Sequence, residues 1–288
     1  MTWIACYPPT ATYIRAQHKQ KMERKVMPRN PFTDREKTVR VKTKRILRVA
    51  DFFSGTHSWT KPYEALAGDD LEVRVFSIDN NPDYRGDTSV IGDFLELTAE
   101  DVIRHLGGPP DVIVASPPCT AFSVASLGHH WGRWPDGSNW MPKTDGAKIG
   151  MKLSQHTLRL IEELDPHWFW IENPRGGMRK MPWMQSLHRE TVWYCRYGPT
   201  QGILRAKPTD LWGEWPTTWT PRPPCKNGNP ECDHVRAPRG AKTGTQGLKG
   251  NAARSMLPIE LTTEIAEAVV EAFNNGEHEQ EKIRRTLQ

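Results

Sequence analysis

The chain has 288 residues, 37% of them hydrophobic and 25% charged, which allows one large domain with a sizeable core and argues against a disordered chain. No apolar run reaches bilayer length, and the N-terminus lacks a basic segment followed by an apolar block. The formal net charge of +5 is unevenly spread: residues 1–48 hold thirteen Lys and Arg against three acids, and the remainder holds 26 against 31.

Residues 1–37 have scattered prolines, little periodicity and strong positive charge, and read as a basic arm with a short helix around Tyr13 to Val26. Such an arm suits contact with a polyanion, and equally a solvated leader. From Thr38, VRVKTKRILRVADFFSG alternates and then runs apolar into a glycine, a strand entering a turn. SWTKPYEALAG follows as a short helix, and LEVRVFSIDNNP as a strand ending on Asp79. GDFLELTAEDVIRHLGGPP gives a turn and a helix, with Thr98 as its cap. PDVIVASPPC is the most apolar strand.

Residues 123–150 are rich in glycine and read as a loop, followed by a helix from Met151 to Leu164. HWFWIENPRGG and TVWYCRYG read as two further strands. Residues 213–250, rich in Pro, Gly and Lys/Arg, show no clear element. LPIELTTEIAEAVVEAFNN closes the core as an amphipathic helix, and the tail after Gly276 is expected to fray.

Strands alternating with helices predict a largely parallel sheet covered on both faces, with ligands outside the carboxyl ends of the strands. The candidate chemistry falls at that edge. Asp51 to Gly55 follow the first strand, Asp79 ends the second, and Cys119 and Glu172 end two later ones.

DFFSGTHS lies between a strand and a helix, where a glycine lets backbone approach a cofactor closely. Asp79 stands where an acid could bond ribose hydroxyls, or could simply close a turn before Asn-Pro. Cys119, after two prolines, is a small residue packed near a turn or a nucleophile at a pocket mouth; a thiolate is the stronger nucleophile, so it needs a polar crevice. Glu172 in FWIENP is either a carboxylate satisfied by turn amides or a group exchanging a proton with a ring nitrogen.

Taken in order, DFFSGTHS, SIDNN, GDFLEL, SPPCTAFS, FWIENP, RAKPTDLWG and GNAARSMLPIELTTEIAEAV resemble the C5-cytosine DNA methyltransferases, in particular their short bacteriophage-type members, from about Arg45 to Phe273. The resemblance implies an α/β fold: the Rossmann-like, doubly wound mixed sheet of the S-adenosylmethionine-dependent methyltransferases, with a small irregular target-recognition insert. It implies S-adenosylmethionine as cofactor, lined by Phe53, Gly55 and Pro117, with Asp79 on the ribose and Asp93 on the adenine amino group. It implies that Cys119 attacks cytosine C6, that Glu172 holds N3, that Arg205, with Lys207 nearby, positions base and carboxylate, and that Asn251 closes the cofactor pocket. Adding a thiolate at C6 makes C5 enamine-like, so that it can accept a methyl group, and in duplex DNA the base must leave the stack.

The chain departs from the pattern in three places. His57 stands where the family usually has a second glycine, proline replaces the commoner valine after Glu-Asn, and the region between LWG and GNAA is short. That region holds PPCKNGNPECDH, in which Cys225, Cys232 and His234 offer three metal ligands. A structural zinc wants four, and Cys195 is an outside candidate for the last. A polar loop with incidental thiols is the other reading. Trp131, Trp134 and Trp140 in the glycine-rich loop suit either DNA contact or packing.

These observations set a division into a basic arm (1–37), a catalytic core (38–212), a target-recognition insert (213–249), a helix completing the core (250–276) and a tail (277–288). The expected activity is methyl transfer to C5 of cytosine in double-stranded DNA with a short, relaxed target. The expected enzyme is a cytoplasmic monomer of a bacterial or phage-infected cell, with no membrane partner. The alternatives are the same chemistry on RNA, methylation of the exocyclic N4 amine, and a non-catalytic DNA-binding protein of the same fold.

Overall fold

A computed structural model describes residues 44–198, 206–225, 229, 230, 232, 234 and 256–277. The expected arm with its helix at Tyr13 to Val26 lies outside these residues, as do Arg205 and Asn251.

In chain order the strands are β1 (Arg45–Phe52), β2 (Leu71–Asp79), β3 (Val90–Ile91), β4 (Val112–Ala115), β5 (Trp131–Arg133), β6 (Asn139–Pro142), β7 (Trp168–Pro174), β8 (Arg189–Trp193) and β9 (Pro208–Glu214). The helices are α1 (Thr60–Ala65), α2 (Ala99–Leu106), α3 (Leu127–His130), α4 (Asp145–Leu164) and α5 (Ile259–Asn274). One seven-stranded sheet runs in the order β3-β2-β1-β4-β7-β9-β8. Its first five members are parallel, and β9 is antiparallel to both β7 and β8. The expected doubly wound mixed sheet is therefore present.

Alternation along the strands splits the core in two. Ala50, Phe52, Phe76, Ile78, Ile113 and Ile171 face α2 and α4, meeting Val102, Leu106, Leu160 and Leu164. Leu47, Val49, Val112, Val114 and Trp170 face α1 and α5, meeting Tyr63, Leu261, Ile265 and Val269. The chain leaves β1 toward β2 and β3 on one side and returns to β4 on the other. That reversal opens a crevice at the carboxyl ends of β1 and β4.

Local chemistry sets the ends. Thr98 caps α2 in a reciprocal box with Asp101, and Gly107 closes the helix at φ 69°. α4 starts at Asp145 rather than Met151. Thr144 accepts from the Ala147 N–H at 3.2 Å, and Gly150 fits against Phe122 and Ala121, so this glycine is a packing contact inside the helix. The stretch read as a loop holds α3 and the β5–β6 hairpin, closed over Pro-Asp-Gly with Asp136 accepting from Ser138. TVWYCRYG is a strand only to Trp193, after which Tyr194–Arg196 forms a 3₁₀ turn. β9 carries a buried Asp210 in its middle, which hides its strand pattern. Arg179 Nε donates to Asp210 at 2.8 Å and the Thr191 hydroxyl at 2.7 Å. Among the described residues, no helix is long and apolar enough to cross a membrane.

Candidate active site

The turn after β1 is built from three residues in left-handed conformation: Phe53 (φ 63°), Gly55 (φ 49°) and His57 (φ 57°). Only Gly55 adopts this without a Cβ penalty. The Phe52–Ile78 register sets this turn beside the end of β2. There, Asp79 Oδ2 accepts from the Gly55 N–H and Oδ1 from the Asn81 N–H, each at 2.9 Å. Asp79 thus ties the two turns together. The half-buried Phe53 ring packs 4.3 Å from Phe94, adjacent to exposed Asp93, whose Oδ1 accepts from the Leu95 N–H at 2.9 Å. Phe53, Gly55, Asp79 and Asp93 therefore line one rim.

His57, in the place of a glycine, keeps the left-handed backbone. Its Nε2 lies 3.1 Å from Thr88 Oγ1 and its Nδ1 3.4 Å from Thr60 Oγ1. Burial pulls its pKa below the usual histidine value, so the ring is neutral near pH 7. Beneath the turn, Asp51 is fully buried, and among the described residues neither carboxyl oxygen has a hydrogen-bond partner. Burial chiefly, with Asp79 and Glu64 adding, pushes its pKa well up.

Across the crevice, the segment after β4 is braced from several sides. Trp59 Nε1 donates to Ser116 Oγ at 3.0 Å, and Asn173 Nδ2 donates to the buried Pro117 carbonyl at 2.8 Å. Trp131 Nε1 donates to the Ala121 carbonyl at 2.7 Å, and the Gly177 N–H to the Phe122 carbonyl at 2.6 Å. Cys119 begins the 3₁₀ turn Thr120–Phe122 and is exposed. A rigid backbone thus presents a thiol to solvent at the crevice. Trp131 is therefore a core residue, stacked on Phe122, while Trp134 is exposed and Trp140 half-buried.

Glu172, on β7, is 6% exposed. Burial raises its pKa, opposed by Lys207 and by hydrogen bonds from Tyr194 and Ser116. The Tyr194 hydroxyl donates to Glu172 Oε1 at 3.1 Å, and Lys207 Nζ sits 4.5 Å from the centre of the Tyr194 ring. The phenol pKa is pushed well up, by burial first, then by Glu172 and also by Cys119. Glu172 thus bonds this tyrosine directly, and Cys119 lies within electrostatic reach of it.

Tyr194, Asn173 and the Arg179–Asp210 pair were not singled out by the sequence reading. The signal for Asn173 was its place beside Glu172. For Asp210 it was an acid inside an apolar strand; Tyr194 had none. Away from the crevice, Cys225, Cys232 and His234 come together with Cys195, all four ligand atoms within 4.8 Å of one another.

Residues 79–181 match the family model for C-5 cytosine-specific DNA methylase. A relative from Frog virus 3 (isolate Goorha), named "Probable DNA (cytosine-5)-methyltransferase", is 28% identical over 224 residues, covering 72% of this chain and 92% of that one. Among solved structures, the Entamoeba histolytica methyltransferase EhMeth aligns over 63% of this chain and 57% of its own, at 14% identity and TM-score 0.42. The S. pombe Dnmt2 methyltransferase aligns over 58% and 50%, at 18% identity and TM-score 0.37. The aligned part thus spans about half of either solved chain. The matched segment, residues 79–181, includes Asp79, Asp93, Pro117, Cys119 and Glu172, so this part of the chain is similar to the C-5 cytosine-specific DNA methylases.

Proposed function

We propose that the protein transfers a methyl group from S-adenosylmethionine to C5 of cytosine in duplex DNA, through a covalent bond between Cys119 Sγ and C6 of a flipped-out base. The observation that carries this reading is the pairing of an exposed thiol on a braced turn with a buried carboxyl of raised pKa, their two segments tied by the bond from Asn173 to the Pro117 carbonyl.

The rim residues fit the cofactor. Gly55 at φ 49° leaves room for close approach, Phe53 offers a ring face, and Asp79 and Asp93 offer acceptors. A cationic group bound nearby would favour the charged form of the buried Asp51 carboxyl, which otherwise stays protonated. The cofactor supplies an electrophilic methyl on a sulfonium centre.

The protein residues activate the acceptor. The Cys119 thiolate adds to C6, and the C5–C6 π pair becomes available at C5 as Glu172 delivers a proton to N3. Burial keeps Glu172 protonated at a pH where an exposed carboxyl would be charged, and the Tyr194 hydroxyl holds its orientation. After C5 is methylated, its proton passes to solvent, Glu172 recovers its own proton from N3, and Cys119 leaves with the C6–S electron pair. Lys207, beside Tyr194, tunes Glu172; Arg205 and Asn251, outside the described residues, keep the positioning and pocket-closing roles expected from the sequence. The basic segment 1–37 contributes phosphate contacts, and the short insert at 213–249 reads only a short, relaxed target.

The test is trapping on a duplex containing 5-fluorocytosine, where the C5 substituent cannot leave as a proton. The native chain should form an SDS-stable adduct and Cys119→Ser none. Nucleosides from ordinary duplex DNA should contain 5-methylcytosine. Turnover without an adduct would overturn the covalent route, and N4-methylcytosine would overturn the C5 assignment.

A further inference from the structure

We propose that Cys195, Cys225, Cys232 and His234 form a structural zinc site that fastens the insert to the turn carrying Tyr194. The four ligand atoms lie within 4.8 Å of one another. His234 Nδ1 is 3.3 Å from Cys225 Sγ and 3.4 Å from Cys232 Sγ. Tetrahedral zinc, with bonds of about 2.3 Å to sulfur and 2.0–2.1 Å to nitrogen, sets sulfur and nitrogen roughly 3.5 Å apart. These two sulfur–nitrogen separations already match that geometry. Three thiols and one imidazole form a closed, soft set that selects zinc over calcium or magnesium.

The composition of the insert calls for such a ligand. Between Cys225 and His234 the chain reads CKNGNPECDH, with no aliphatic or aromatic side chain apart from one proline and the imidazole. Yet Cys225 and His234 are buried, at 4% and 9% exposure. A segment without apolar surface has little hydrophobic cohesion to hold two buried polar side chains, and metal binding supplies that free energy directly. The start of the insert is tied down by other means: Arg222 Nε donates to Glu264 at 2.8 Å and Nη1 to Glu260 at 2.9 Å on α5. The metal would anchor the far side.

Cys195 gives the site a second consequence, which rests on the methyl-transfer reading. It follows Tyr194 in the same 3₁₀ turn, and the Tyr194 hydroxyl donates to Glu172. Metal loss should therefore loosen the carboxyl that serves the base and leave the cofactor rim around Gly55 and Asp79 intact.

The first test uses the native full chain purified without chelators. Metal analysis should find one zinc per chain, and cobalt(II) replacing it should show thiolate-to-metal absorption and the visible bands of a tetrahedral site. Cys225→Ser and His234→Ala should each lose the bound zinc, whereas Cys119→Ser, outside the cluster, should keep it. A native chain that takes up neither zinc nor cobalt, or a disulfide within the cluster, would overturn the site even if the variants fail to fold. The second test compares metal-stripped and zinc-loaded native chain. Stripping should slow adduct formation on 5-fluorocytosine DNA roughly tenfold to a hundredfold, with S-adenosylmethionine affinity unchanged. Equal rates would overturn the link to Glu172. No adduct in either form would instead strike the methyl-transfer reading and leave the metal measurements standing.

Discussion

The Asn173 side-chain amide donates to the carbonyl of Pro117 at 2.8 Å, so the residue after the buried carboxyl Glu172 holds the residue two before the exposed thiol Cys119. Two strand ends, β4 and β7, are locked at the point where the thiol and the carboxyl emerge. Asn173 is 1% exposed, so the bond is shielded from water.

Replacing Asn173 with leucine would leave the Pro117 carbonyl buried and unpaired. We expect a loss of about 1–3 kcal/mol in denaturant unfolding. The rate of adduct formation should fall while S-adenosylmethionine binding holds, because the displaced segment carries the thiol. A leucine variant of native stability and native adduct rate would show that the amide does not position the Cys119 turn.

Glu172→Gln should lower the methylation rate by roughly 10²–10⁴-fold, because an amide cannot exchange a proton with N3. Its effect on stability should depend on pH. Burial raises the folded-state pKa of Glu172 above the ordinary 4.5, so the unfolded chain binds fewer protons there as pH rises. Native stability is then eroded above pH 4.5, through the raised folded value. The glutamine variant escapes this, so its stability relative to the native chain should increase from pH 5 to pH 8 in paired urea unfolding curves. A pH-independent difference would mean that Glu172 is not held neutral by the fold.

Lys207→Met removes the charge that most strongly lowers the Glu172 pKa. The alkaline limb of the methylation rate should move to higher pH, because the carboxyl stays protonated further into that range. An unshifted limb would assign it to another group.

His57 occupies a backbone conformation suited to glycine. His57→Gly relieves left-handed strain of about 1–3 kcal/mol but loses the contacts to Thr88 and Thr60, so thermal stability near pH 7 should change little. His57→Val keeps the strain, adds β-branching and loses both contacts, and should melt clearly lower. Because burial lowers the histidine pKa, the native chain should lose stability as pH falls below 6.5, and the glycine variant should be spared that part of the loss. Equal acid sensitivity in the two chains would contradict a buried neutral ring.

Gly213→Ala should be the most damaging single-methyl change at the sheet. An added Cβ would lie 1.8 Å from the Phe169 carbonyl oxygen, so β7 and β9 would have to part. We expect a loss of about 3 kcal/mol or more, or failure to fold, read by thermal denaturation.

By itself the sequence determined the alternation of strands and helices, and with it the placing of Gly55, Asp79, Cys119 and Glu172 at one edge of a parallel sheet. Periodicity and turn residues are local, and a parallel sheet sends every strand end to the same side. Motif order was enough to indicate the family. The helix start at Asp145 was misplaced because Gly146 and Gly150 look like breakers in isolation, and only the fit of Gly150 against Phe122 shows why a glycine belongs inside α4. β9 was masked by Asp210, whose burial makes sense only once Arg179 and Thr191 reach it from elsewhere in the chain. Tyr194 reaches Glu172 across 22 residues, and Cys195 meets Cys225 across 30; no local pattern encodes such pairs. Proximity in space depends on which strands become neighbours. The insertion of β9 between β7 and β8 decided which tyrosine faces the carboxyl and where the fourth ligand lies.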